Sequence, residues 1–173
     1  MIKDITFIEN FWNDDSLFDR LVNEVNWNKE MRSRWTACFG QPYNHTVAEY
    51  EFLPMWSEMN QISEAIETTI GFRPNNCLLN YYFDGQSRMG FHADTTIMLE
   101  EETGIAILSL GAERIFRVRR IEDKEDRYNY KLPSGSLLYM TNEMQKDWEH
   151  GIPRSKVEGS RISMTFRKMN IEV

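Results

Sequence analysis

Two of the three histidines in this 173-residue chain stand where they could hold a metal ion. His92 and Asp94 are two residues apart in Met89-Gly90-Phe91-His92-Ala93-Asp94, a stretch that reads as strand running into loop. Side chains at i and i+2 of a strand share a face, so imidazole and carboxylate can converge on one point. His150 follows Trp148 and Glu149 in a second strand-like stretch and offers a third ligand. Two imidazoles and one carboxylate leave coordination positions open, which suits Fe(II) working with a co-substrate and oxygen. A His-x-Asp tripeptide alone carries little weight, because most such tripeptides mark a solvated turn.

A second constellation adds to it. Arg161-Ile162-Ser163-Met164-Thr165-Phe166-Arg167 alternates strictly, with Ile162, Met164 and Phe166 on one face. Arg161, Ser163, Thr165 and Arg167 take the other. Two guanidiniums on one strand face are costly to bury without an anionic partner, and a dicarboxylate supplies one through bidentate hydrogen bonds. The competing reading is a solvated edge strand.

Several elements must position these groups. Asp4 to Phe11 reads as a short strand or extended entry. A helix starts near Asp14 to Ser16, with Ser16 and Asp19 as an approximate capping pair, and carries a stripe of Leu17, Phe18, Leu21, Val22 and Val25. Pro54 is a good first residue for a second helix, where Met55, Met59, Ile62 and Ile66 recur at helical spacing and Gly71 and Pro74 close it. The period then changes to two. Cys77 to Phe83, Ile105 to Leu110, Arg114 to Arg119, Tyr128 to Leu132, Ser136 to Met140 and Arg161 to Lys168 all qualify as strands. The fold class expected is mostly β with flanking helices: a double-stranded β-helix, or jelly-roll, core with two N-terminal helices backing one sheet. Residues 1–173 read as one domain, with helical support and a substrate lid in 1–76 and the jelly-roll core in 77–173.

From Asn80 to Lys168 the chain resembles the AlkB family of Fe(II)- and 2-oxoglutarate-dependent dioxygenases. The resemblance rests on Asn80-Tyr81-Tyr82, His92-x-Asp94, Ser109-Leu110-Gly111-Ala112, Gly135-Ser136-Leu137-Leu138, Trp148-x-His150 and the Arg161-to-Arg167 strand. It implies Fe(II) on His92, Asp94 and His150, with 2-oxoglutarate and O2 as co-substrates. It places Arg161, helped by Tyr82, at the distal carboxylate of 2-oxoglutarate. Arg167 and Asn80 fall near the metal-proximal carboxylate, and Ser163 stands where the family usually has asparagine. The implied reaction is oxidative demethylation of alkylated bases in single-stranded DNA or RNA, with release of formaldehyde. Arg34 to Gly40 is similar to the substrate lid of the nucleic-acid-repairing members. Trp35 or Tyr43 would then stack on a flipped base.

The segment from Trp27 to Thr46 interleaves aromatics with cations, as base stacking and phosphate contact require. A loop whose aromatics simply cover the barrel fits equally well. His45 lacks a ligand pattern and reads as a surface residue or one standing behind the ligands. Repair members commonly have further acids directly after the metal aspartate, whereas this chain has Thr95-Thr96-Ile97. A Thr95 hydroxyl hydrogen-bonds but cannot stabilise a cationic methylated base as a carboxylate does.

The net charge of −7 argues mildly against tight duplex binding, although Arg117, Arg119 and Arg120 permit a polarised surface. It accommodates a short single strand. It also accommodates the alternative, the same chemistry hydroxylating a small metabolite or a protein side chain. A non-catalytic jelly-roll module has no need of both constellations. Two cysteines, the absence of a signal pattern and the lack of a long apolar run lead to the expectation of a cytoplasmic protein with no membrane segment, and a monomer is expected as well.

Overall fold

The computed structural model describes residues 2–43 and 49–171. Its strands are β1 (Ile5–Ile8), β2 (Trp35–Gly40), β3 (Asn76–Tyr82), β4 (Met89–His92), β5 (Gly104–Gly111), β6 (Arg114–Arg120), β7 (Arg127–Leu132), β8 (Leu137–Thr141), β9 (Trp148–Ile152) and β10 (Arg161–Arg167). The helices are α1 (Asp15–Glu24), α2 (Ser57–Ile70) and the single turn α3 (Met144–Asp147). A six-stranded sheet runs β1-β8-β5-β10-β3-β2 and a four-stranded sheet runs β4-β9-β6-β7. The pairings are antiparallel throughout the described strands. This is the jelly roll, with its two backing helices, that the sequence implied.

Strand alternation divides the interior into two layers. Leu17 and Leu21 of α1 and Met59, Ile62 and Ile66 of α2 are fully buried against one face of the larger sheet. That face presents Ala37, Phe39, Leu79, Ala106, Leu108, Ile162, Met164 and Phe166. The opposite face meets the smaller sheet through Leu78, Ile105, Ile107 and Leu138 against Phe116, Val118 and Ile152. Each buried aliphatic side chain here contributes about 1.5–3 kcal/mol relative to exposure. The helices therefore cover one side of the larger sheet, and its other side is left to line a cavity.

Two local expectations need correction, and the lid-like segment takes a definite place in the sheet. The cap of α1 is Asp14, whose carboxylate accepts from the amides of Ser16 at 3.0 Å and Leu17 at 3.2 Å. Ser16 already lies in the first turn, so no Ser16–Asp19 pair forms; Asp14 reaches two free amides from outside it. Pro54 precedes α2 rather than opening it, because Leu53 is bridged to Gly40 and keeps the chain extended there. Residues 35–40, expected as part of a lid, form β2 at the edge of the larger sheet, paired along β3.

Arg114 ties the fold to the site. Its buried guanidinium donates to the carbonyls of Asp84 at 3.0 Å, Ser87 at 2.8 Å and Pro153 at 2.8 Å. It thereby fixes the turn that feeds β4 and the chain that leaves β9. No helix among the described residues is long and apolar enough to cross a membrane.

Candidate metal and 2-oxoglutarate site

A cavity of about 440 Å³ opens between the two sheets. The smaller sheet brings His92 of β4 directly opposite His150 of β9, with ring centroids 4.5 Å apart. Asp94 lies beyond the end of β4, so strand alternation is not what brings it in. The Gln145 side chain accepts from the Asp94 amide at 2.9 Å and holds the loop. One ligand atom from each of His92, Asp94 and His150 falls within 4.8 Å of the others. His45 lies outside the described residues.

The donor set fits a metal. His92 Nδ1 is 2.9 Å from the Gly90 carbonyl, which can only accept, so in the neutral ring the proton sits on Nδ1. The bare Nε2 then points at Asp94 Oδ1 from 3.3 Å, and His150 Nε2 lies 3.9 Å from the same oxygen. A cation placed among these three atoms would satisfy all of their lone pairs at once. Phe116 stacks on the His150 ring at 5.1 Å and 20°, which fixes its plane.

Electrostatics agree with that reading. Burial alone would raise the Asp94 carboxyl, but Arg167, His92 and His150 outweigh it and hold it well below the usual range. Arg167 Nη2 donates to Asp94 Oδ2 at 2.7 Å. That leaves Oδ1 for the histidines. Burial pushes His150 down to about 4, so it is neutral at physiological pH and able to ligate. Burial also disfavours the His92 cation, and Arg34 adds to this, yet the bond and charge of Asp94 prevail and raise it.

These shifts fix a pH dependence for the metal-free protein. A histidine that titrates lower when folded than when unfolded lends stability that is complete above about pH 6.5 and is lost towards pH 4. His150 is fully buried, and the loss is on the order of 3 kcal/mol. The raised His92 acts in the opposite sense, lending stability at low pH that is lost on the alkaline side. Melting curves in chelator are expected to fall steeply from pH 6.5 to 4, with a shallower slope for His150→Phe. Parallel slopes for the two proteins would exclude burial of His150 as the cause.

A carboxylate ligand is indicated by the opposite wall. Arg161, Ser163, Thr165 and Arg167 all line the cavity, while Ile162, Met164 and Phe166 face the helices. Arg161 is 1% exposed, and among the described residues no carboxylate approaches it. Its Nη2 donates to Ser109 Oγ at 2.8 Å, but Nε and Nη1 have no partner. Burial lowers its pKa to about 10, against the opposing influence of Tyr82, whose ring lies 5.2 Å from the guanidinium. Ser163 stands between Asn80 on β3 and Ser109 on β5. Asn80 Oδ1 accepts from Arg34 Nε at 2.8 Å.

The substrate-side expectations fare differently. Trp35 does not line the cavity. It shares the helix-facing side of β2 with Ala37 and Phe39, and its ring meets Tyr81, Phe83 and the Lys29 ammonium. Strand alternation puts Thr36 on the cavity side instead. Tyr43 lines the cavity but is buried, with the Arg167 guanidinium over its ring at 4.1 Å and its hydroxyl donating to the Thr95 carbonyl. In this arrangement Trp35 lies outside the cavity, and Arg167 covers one face of Tyr43. Thr95 lies at the exposed rim. Arg34 and Thr36 fall in the lid-like segment without being singled out there, and no local pattern marks Gln145.

A family model described as the 2OG-Fe(II) oxygenase superfamily matches residues 14–167. The "Alpha-ketoglutarate-dependent dioxygenase alkB homolog 3" of Bos taurus is 31% identical, over 88% of this chain and 60% of that protein. The "DNA oxidative demethylase ALKBH2" of Arabidopsis thaliana is 31% identical, over 76% of this chain and 49% of that protein. "Uncharacterized protein R406" of Acanthamoeba polyphaga mimivirus is 34% identical, over 88% of this chain and 87% of that protein. The chain thus spans less than two thirds of the two named enzymes. A solved chain titled "The structure of OsALKBH1" has the same fold, with a TM-score of 0.74 at 16% identity over 97% of this chain and 99% of that one. With the family model covering all but the two ends, the chain belongs to the 2OG-Fe(II) oxygenase superfamily and is an AlkB-like member of it.

Proposed function

We propose that this protein is an Fe(II)- and 2-oxoglutarate-dependent dioxygenase that oxidatively demethylates alkylated bases in single-stranded DNA or RNA. The observation that carries the reading is the meeting of His92, Asp94 and His150 with the unpartnered Arg161 donors in one open cavity. The similarity to alkB homolog 3 and ALKBH2 supports the substrate class. Bound iron would supply the activation of oxygen.

The chain's own residues do the rest. His92, Asp94 and His150 would hold the metal, and Arg161 would take the distal carboxylate of 2-oxoglutarate with Tyr82 beside it. Ser163 and Asn80 line the space between, and Arg167 keeps Asp94 ionised and oriented. Overall, an N–CH3 group, O2 and 2-oxoglutarate give N–CH2OH, succinate and CO2. The carbinol then collapses to N–H and formaldehyde. Dioxygen takes four electrons, two from the methyl C–H bond and two from the oxo acid.

The test is a panel of methylated single-stranded oligonucleotides with Fe(II), 2-oxoglutarate and ascorbate. Formaldehyde is expected in step with succinate on at least one member. No rise in succinate over the oligonucleotide-free rate, across the whole panel, would refute the nucleic-acid reading.

A further inference from the structure

The charges around the cavity narrow the kind of base it can take. Among the described residues Asp94 is the only acid that lines it. Both of its oxygens are committed, Oδ2 to Arg167 and Oδ1 to the ligand cluster it forms with His92 and His150. Three guanidiniums line the same space, those of Arg34, Arg161 and Arg167. Arg161 and Arg167 are almost wholly buried in the wall of β10. Arg34 differs, being half-buried and bonded through Nε to Asn80, with no carboxylate partner among the described residues. Its terminal nitrogens donate to none of the described residues.

A methylated base meets these groups in one of two chemical forms. N1-methyladenine and N3-methylcytosine are amidinium cations whose exocyclic nitrogen donates hydrogen bonds. N3-methylthymine and N1-methylguanine are uncharged lactams, with a carbonyl beside the methylated nitrogen. With Arg161 taken up by 2-oxoglutarate and Arg167 by Asp94, a cationic ring would meet the uncompensated charge of Arg34, and its donor would face another donor. A lactam carbonyl would accept from the guanidinium, as acceptors do.

We infer that the substrate side of this cavity takes an uncharged N-alkylated ring bearing a carbonyl, and that Arg34 selects it by donating to that carbonyl. The inference rests on the reading proposed above and adds the charge class of the base. Thr95, at the rim, is the position where an acid would reverse the preference.

The experiment uses the full chain with Fe(II) and 2-oxoglutarate and four oligonucleotides that differ only in the methylated base. Formaldehyde release is expected to give kcat/KM at least ten-fold higher for the two lactams than for the two cations. Arg34→Met is expected to lower that ratio ten-fold or more, and Thr95→Asp to raise turnover of the cations relative to the lactams. Because each variant is read as a ratio within one preparation, a partly unfolded sample does not disturb the result. Competition binding to the metal-free protein is expected to show the same order. Cations turned over as well as lactams would overturn the inference and leave the demethylase reading standing. A ratio unmoved by Arg34→Met would overturn the role of Arg34. Failure of all four oligonucleotides to raise succinate would remove the demethylase reading and this inference with it.

Discussion

Arg161→Met is expected to make the ligand-free protein more stable and to remove its affinity for 2-oxoglutarate. The two effects have one origin. The Arg161 charge is buried with two of its three nitrogens unpartnered, and Ser109 and Tyr82 offset only part of its desolvation cost until a carboxylate arrives. Methionine fills much of the same volume without that cost, so stability should rise by about 1–3 kcal/mol, less the small loss of the bond to Ser109. Binding loses a buried charge-assisted pair worth about 2–5 kcal/mol, on the order of 100-fold or more in Kd. Thermal melts of Mn(II)-loaded protein, with and without 2-oxoglutarate, read both effects at once. A lower Tm with the ligand-induced shift retained would mean that Arg161 is a structural cation.

Asp94→Ala is expected to destabilise the metal-free protein by about 3–5 kcal/mol. The side chain of Arg167 is only 4% exposed, and Asp94 is its sole carboxylate within bonding distance among the described residues. Removing the acid strands the guanidinium in the cavity wall. For a domain of this size the loss corresponds to a Tm roughly 10 °C lower. The double variant Asp94→Ala/Arg167→Met should recover most of it, because the unpaired charge leaves with the arginine. Urea melts in chelator measure both. A single variant as stable as the parent would show that the pair contributes nothing to the fold, and that Arg167 is free for another role.

What could be read from the sequence was what a local period dictates. Period two placed Arg161 and Arg167 on one face of β10 and Ile162, Met164 and Phe166 on the other. Helical spacing found the buried stripe of α2, and Gly71 marked its end with a left-handed φ of 104°. Long-range partners were invisible. Nothing near Asp94 announces that Gln145 holds its amide, 51 residues on, or that Arg167 binds its carboxylate, 73 residues on. The segment Trp35-Thr36-Ala37-Cys38-Phe39-Gly40 is poor in β-branched residues and carries no strand signal of its own. Pairing with β3 makes it a strand, a tertiary override of weak propensity. That change also turned Trp35 away from the cavity, since its face follows from the strand and not from its aromatic character. The metal-ligand candidates were legible because only three histidines compete, and the topology opposes two of them across β4 and β9.

The most direct test of the metal centre is a calorimetric titration of Mn(II) into the metal-free protein, followed by 2-oxoglutarate. One metal per chain is expected, with 2-oxoglutarate binding tightly only after it, and with both events lost in His92→Ala and His150→Ala. Unaltered metal stoichiometry and affinity in those two variants would contradict the account, because the ion would then be held elsewhere.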